Sequence, residues 1–228
     1  MKFTKETLAI LKNFSTINSG VMLKPGKFIM TRAVNGTTYA EANISDEIDF
    51  EVAIYDLPSF LGILGLVSED AEISMADDGN IKIADARSKI FWPAADASTI
   101  VFPSKPIPFP TASVIVDFKG EDLQQLMRVS RGLQIDTIAI ANKEDKIVLS
   151  GYNKVEDSAL VRPKYSLTLG DYDGTNNFNF VINMANMKMQ PASYKLLLWA
   201  DGKKTAAKFE GDAASYVVAM EADSTHDF

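Results

Sequence analysis

Apolar positions recur at helical spacing twice in this chain, about half a chain apart. Over residues 4–17, Phe3, Leu8 and Leu11 share one face, Ile10, Phe14 and Ile17 continue it, and Lys5, Lys12 and Thr16 lie opposite. Over residues 120–133 the pattern returns: Phe118, Leu123, Leu126 and Met127 against Gln124, Arg128 and Arg131. Between the two helices the period drops to two. The run 20–32 predicts two short strands around the turn pair Pro25-Gly26, and TTYAEANI and DFEVAIYDL alternate as further strands. Residues 57–67 predict a mostly buried helix in which Gly62 and Gly65 serve close packing. The following stretch to Trp92 reads as a meander with a hairpin at Asp78-Gly79.

Five prolines, Pro93, Pro103, Pro106, Pro108 and Pro110, then stiffen the chain into an extended connector. Beyond it the element order repeats. SVIVDF is a strand, the second helix follows, and IDTIAIANKEDKIVLSGY is a hairpin. ALVRPKYSLTL and FNFVIN are strands, NMANMKMQ a short helix, and a meander turns at Asp201-Gly202. Phe50 corresponds to Phe178, and Asp78-Gly79 to Asp201-Gly202. The expected architecture is α+β, with two duplicated domains at residues 1–108 (connector about 93–110) and 111–228.

Composition narrows the chemistry. The chain has 228 residues, 46% apolar and 23% charged, and a formal charge of −7, which argues against indiscriminate nucleic-acid binding by the whole surface. It has no cysteine, which fits a reducing cytoplasm and removes thiolate chemistry. The single histidine, His226, sits near the C-terminus and reads as solvated, so Ser-His-Asp and Cys-His arrangements are excluded. No phosphate-binding glycine loop occurs. Asp171-Tyr172-Asp173-Gly174 resembles the opening of a calcium loop, but Asn176 and Ile182 stand where glycine and glutamate belong, so a polar turn is expected and no metal. The N-terminus lacks the apolar run of a signal peptide, and residues 57–67 are too few to span a bilayer.

Two related helices with the same polarity suit loose, sequence-blind phosphate contact. At this point the chain resembles the sliding clamps, the ring-shaped DNA polymerase processivity factors, of T-even-type bacteriophages. NISDEIDFEVAIYDL, GNIKIADARS, DLQQLMRVSRGLQIDTIAI, KYSLTLGDYDG and the closing EADSTHDF carry the resemblance, which covers the whole length. It implies the DNA-clamp fold, helices lining the ring interior and β-sheets outside, assembled head to tail as a homotrimer around duplex DNA.

On that resemblance Lys5, Lys12, Gln124, Arg128 and Arg131 face DNA, with Lys188 and Lys2 as weaker candidates. Ring closure pairs KIFW with ALVRPKYSL, placing Phe91, Trp92, Leu160, Arg162 and Tyr165 at the subunit interface. Pro163 fits an edge strand. A pocket for the C-terminal peptide of the replicative polymerase is expected from Ile107, Pro108 and Phe109 of the connector, Val217 and Ala219 of the last strand, and Tyr39. The resemblance also implies a separate ATP-dependent clamp loader, a role with late-transcription factors, no cofactor, no membrane, no catalysis, and residence in the cytoplasm of the infected host cell. The rivals are a ring-forming virion structural protein and, from the many carboxylates, a hydrolase.

Overall fold

The computed structural model describes residues 1–68 and 70–228. They form two compact units, Met1–Ile107 and Pro108–Phe228.

In the first unit, α1 (Lys5–Ile17) begins where the Thr4 hydroxyl accepts the Thr7 N–H at 3.3 Å. It buries Thr7, Ile10, Leu11, Phe14 and Ile17, leaving Leu8 half-buried at the side. Then come β1 (Val21–Leu23), β2 (Gly26–Arg32), β3 (Thr38–Ile48) and β4 (Val52–Ile54). The pieces flanking Pro25-Gly26 are not hairpin partners: β1 pairs antiparallel with β4, and β2 with β3. The short apolar β1 is buried at all three positions, whereas β2 alternates, so each strand finds the partner that matches its faces.

The second helix, α2 (Leu57–Leu64), is shorter than the sequence suggested. It buries only Leu57 and Phe60, Leu66 is 80% exposed, and Gly62 faces open space rather than a packed neighbour. Its start is fixed by Asp56, whose carboxylate accepts from the Ser59 N–H (3.1 Å) and hydroxyl (2.7 Å). The strands β5 (Glu72–Met75), β6 (Ile81–Ala84) and β7 (Lys89–Trp92) form the meander. Gly79 turns it at φ +83°, a left-handed conformation that suits glycine.

The second unit runs β8 (Val114–Phe118), α3 (Gly120–Leu133), β9 (Thr137–Lys143), β10 (Lys146–Tyr152), β11 (Tyr165–Asp171), β12 (Phe178–Asn183), β13 (Tyr194–Asp201), β14 (Lys204–Glu210), β15 (Ser215–Ala219) and β16 (Thr225–His226). One sheet orders β11-β10-β9-β12-β16, and β15-β14-β13-β8 run side by side in another. Their inward residues, Ile138, Ile140, Phe180, Leu196, Leu198 and Phe209 among them, are essentially water-free. Each such side chain contributes about 1.5–3 kcal/mol on burial.

Two expected elements are cut short. The strand expected from Ala159 starts only at Tyr165, because Asp157 ties the preceding residues into a turn: its carbonyl accepts the Leu160 N–H at 3.1 Å and its carboxylate the Arg162 N–H at 2.6 Å. The short helix expected at residues 183–190 is a single 3-10 turn, Met184–Asn186. Met187 and Met189 beyond it are both buried, at the period of an extended chain.

Candidate nucleic-acid interface

Each unit presents one long helix with a polar outer face. On α1 the apolar set points into the first unit, and Lys5, Ala9, Lys12 and Thr16 form an exposed stripe at i, i+4, i+7 and i+11. Glu6 is exposed in the same first turn, so this stripe is only mildly cationic.

In the second unit, α3 is anchored by Leu123 and Leu126, 2% and 0% exposed, with the Ser130 hydroxyl donating to the Leu126 carbonyl at 2.6 Å. Gln124, Arg128 and Arg131 line the exposed side at i, i+4 and i+7. Among the described residues no ion pair engages Arg128 or Arg131. Glu121 and Asp122 sit in the first turn and Arg131 in the last, each at the end of the helix dipole that favours it.

The start of α3 has a support that the sequence did not advertise. Lys119 caps nothing with its side chain, and instead the Ser193 hydroxyl accepts the Gly120 N–H at 2.9 Å. A Cβ on Gly120 would lie 3.0 Å from the Ala192 carbonyl carbon, a tight contact that glycine avoids. Only the three-dimensional fold brings these residues together, since they are 73 positions apart.

Lys188 is not on a helix. It follows the 3-10 turn, half-buried, between the buried Met187 and Met189, which leaves it outside the two helical stripes. Lys2 is exposed and 3.7 Å from Asp70, a surface pair of small worth.

The residues expected at a subunit interface divide. The strand β7 ends the three-stranded sheet and β11 ends the five-stranded one. Phe91 is 55% exposed on β7. Trp92 turns the other way, half-buried with its ring 5.7 Å from Phe60 in an edge-on contact. Tyr165 is half-buried, and burial first, then the Asp122 carboxylate, pushes its phenol up. The strand expected at Leu160 is corrected: Leu160 lies in a left-handed turn (φ +54°) and packs against Ala139, Tyr152 and Val181 of its own unit. Arg162 is exposed on that same turn and also lies outside any strand.

Around the connector, Ile107 and Pro108 are exposed and Phe109 is half-buried. Val217 and Ala219 are half-buried on the outward-facing side of β15, alternating with buried Tyr216 and Val218. Tyr39 differs from the expectation of a pocket-lining ring. It is only 4% exposed, and its hydroxyl donates to Glu41 at 2.6 Å. Burial above all, and then the Glu41 carboxylate, holds its phenol far above the ordinary range. A pocket of about 210 Å³ lies in the first unit between Met22, Lys24, Pro25, Phe28, Met30 and Pro103.

His226 is also corrected. Its ring is half-buried, stacked near Phe180 and Phe228, with Nε2 2.8 Å from the Gly202 carbonyl and Nδ1 buried without a partner. The C-terminal residues form β16 against β12, so this terminal histidine is structural. Among the described residues no cluster of three or more metal-ligating side chains occurs, and no helix is long and apolar enough to cross a membrane.

Each of the two α+β units thus sets one long helix against its sheets, with cations on the exposed side of that helix. The comparisons with known proteins agree. Residues 4–102 match the family described as DNA polymerase processivity factor, and residues 115–222 the family described as gp45 sliding clamp, C terminal. The sliding clamps of Enterobacteria phage T4 and Escherichia phage RB69 are 77% and 76% identical over 228 residues, covering all of both chains. That of Vibrio phage KVP40 is 26% identical over 97% of this chain and all of its own. Among solved structures, Proliferating Cellular Nuclear Antigen from Entamoeba histolytica superposes with a TM-score of 0.66 at 12% identity, covering 94% of each chain. The A. fulgidus PCNA bound to the C-terminal region of FEN-1 gives the same score, identity and coverage. At that identity the likeness speaks for the clamp fold alone. None of these likenesses supports the virion structural alternative.

The chain belongs to the sliding clamp family. It is a DNA polymerase processivity factor and not an enzyme.

Proposed function

We propose that the chain closes head to tail into a homotrimeric ring around duplex DNA, with the polar stripes of α1 and α3 turned to the duplex. A ring is retained by topological linkage, so its contacts can stay weak enough to slide. Lys5, Lys12, Gln124, Arg128 and Arg131 make sequence-blind contacts to phosphates. The observation that carries this reading is the pair of exposed stripes on a chain whose net charge is −7. On each helix the cations share one exposed side, while the chain as a whole is acidic.

In this reading β7 of one protomer pairs with β11 of the next, because each ends its sheet and heterologous edges can close a ring. Phe91, Trp92 and Tyr165 supply the contact, with Leu160 supporting the turn that presents β11. The polymerase's C-terminal peptide docks beside the connector at Ile107, Pro108 and Phe109, with Val217 and Ala219 of the last long strand added. The domains are those of residues 1–108 and 111–228. An ATP-dependent loader opens the ring, late-transcription factors use it as a tracking platform, and the site of action is the cytoplasm of the infected host.

The test is primer extension on circular DNA with the cognate polymerase and loader. Product length should rise sharply when this protein is added. Unchanged product length in an otherwise complete system would reject the function.

A further inference from the structure

An open sheet has two edges, and each edge carries a row of N–H and C=O groups that another strand can claim. In the five-stranded sheet of the second unit one edge is β11. The other would be β12, were it not covered by β16. The two residues of β16 are too few to pair the six of β12. The outward groups of β12 are nonetheless met one after another.

In an antiparallel ladder alternate residues turn their main-chain groups to the same side. The Phe178 N–H points toward β9, where it donates to Asn142 Oδ1 at 2.8 Å. Asn177, Asn179 and Val181 therefore face the edge. Asp227 meets Asn177 twice: its carboxylate accepts the Asn177 N–H at 3.2 Å, and its own N–H donates to the Asn177 carbonyl at 3.0 Å. Asn179 stands opposite Thr225 in the ladder. At Val181 the N–H donates to the Ser224 hydroxyl at 2.9 Å, and the carbonyl accepts the Glu221 N–H at 2.7 Å. Side-chain oxygens of Asp227 and Ser224 thus stand in for carbonyls of a longer strand.

The segment is fastened elsewhere as well. The Phe228 ring lies 6.1 Å from that of Phe178 and 6.4 Å from that of Phe180. His226 Nε2 is 2.8 Å from the Gly202 carbonyl in the turn between β13 and β14, and Lys154 Nζ pairs with Asp223 at 2.7 Å.

The two edges of this sheet are not equivalent. Three antiparallel pairings join β11, β10, β9 and β12, so β12 runs opposite to β11. A β7 strand of a second copy seated on β12 would relate the copies by a different rotation from one seated on β11. A heterologous contact whose rotation does not close grows into an open chain of copies.

We infer that residues 221–228 guard the β12 edge, so that β7 of a second copy finds only β11. The inference rests on the reading that β7 seeks a sheet edge of another copy.

The test uses two variants of the full-length protein: Asp227→Ala with Phe228→Ala, and separately Ser224→Ala. Amide exchange should quicken about tenfold at Asn177 in the first and at Val181 in the second, while Ile138 of the central β9 keeps its wild-type rate. The melting temperature should stay within a few degrees of wild type. In light scattering across a concentration series, the average mass of the first variant should climb to about twice the wild-type value or more, as an open-ended contact requires. Adding Phe91→Asp should abolish that extra mass. Wild-type exchange at both amides would overturn the guard. Faster exchange with wild-type mass at every concentration would overturn its role in assembly. Extra mass that survives Phe91→Asp would overturn β7 as the strand kept out. Phe91→Asp in the otherwise wild-type chain reads the ring edge separately: if it leaves the mass unchanged, yet removes the extra mass of the first variant, the β7–β11 contact falls and the guard stands.

Discussion

Replacing Arg128 and Arg131 together by glutamate tests the DNA-facing stripe at its most cationic point. Both side chains are exposed on α3 and serve no packing role. In water, unit charges about 5 Å apart interact by about 0.8 kcal/mol. Reversal exchanges that attraction for an equal repulsion, so the two positions swing by about 3 kcal/mol unscreened, and by about 2 kcal/mol with a Debye length of about 8 Å. That corresponds to roughly a 20-fold loss in the DNA-bound population per engaged protomer. A further cost of about 0.3–1 kcal/mol falls on the helix itself, because Arg131 sits in its last turn. The assay is loading and retention on nicked circular DNA at increasing salt, with mass determination to confirm an intact trimer. The variant should load poorly, with a shallower salt dependence than wild type. Equal loading and an equal salt slope, with the trimer intact, would refute the assignment of these arginines to the duplex.

Three further outcomes follow from the geometry. Phe91→Asp puts a charge on the exposed β7 edge and should shift the proposed trimer toward monomer in light scattering at micromolar concentration, while an unchanged mass would move the interface elsewhere. Leu126→Ala removes a side chain with no solvent exposure from under α3 and should cost about 2–5 kcal/mol in denaturant unfolding; a loss below about 1 kcal/mol would contradict that packing. Asp56 caps α2, and the Ser59 hydroxyl and then the Ser59 N–H hold its carboxyl below the ordinary value. Its folded pKa is therefore below its unfolded one, so the cap's ionised contribution is complete above an unfolded pKa of about 4 and fades as pH falls through the folded value. The gap in Tm between wild type and Asp56→Ala should be largest near neutrality and narrow in acid. A gap that stays constant through acid would sink this account of the cap.

The two long helices and the hairpins at Asp78-Gly79 and Asp201-Gly202 were legible because they follow local rules. The span of α3 matches its apolar period, with Leu123 and Leu126 inward, and Gly79 and Gly202 turn their meanders at positive φ. What failed was set by distant partners. Nothing near Leu160 announces that Asp157 will fold its segment into a turn, or that Ala139, Tyr152 and Val181 will receive its side chain. The buried methionines after residue 186 look like a helix face until their period of two is noticed, which is how Lys188 came to be placed on a helix. Asn18 and Ser193 act through contacts with residues 83 and 73 positions away. A polar residue at a helix end beside apolar strands was the only hint for Asn18. The stripes of α1 and α3 were visible because exposure on a helix follows from spacing alone.

Topological linkage is the claim on which the account depends, and release on cutting the DNA tests it most directly. The protein is loaded onto a nicked plasmid, freed of loader, and followed by gel filtration before and after a single restriction cut. The account predicts retention on the circle and rapid loss from the linear product, with little dependence on sequence. Equal retention on both forms would mean that the protein holds DNA by affinity, contradicting the ring.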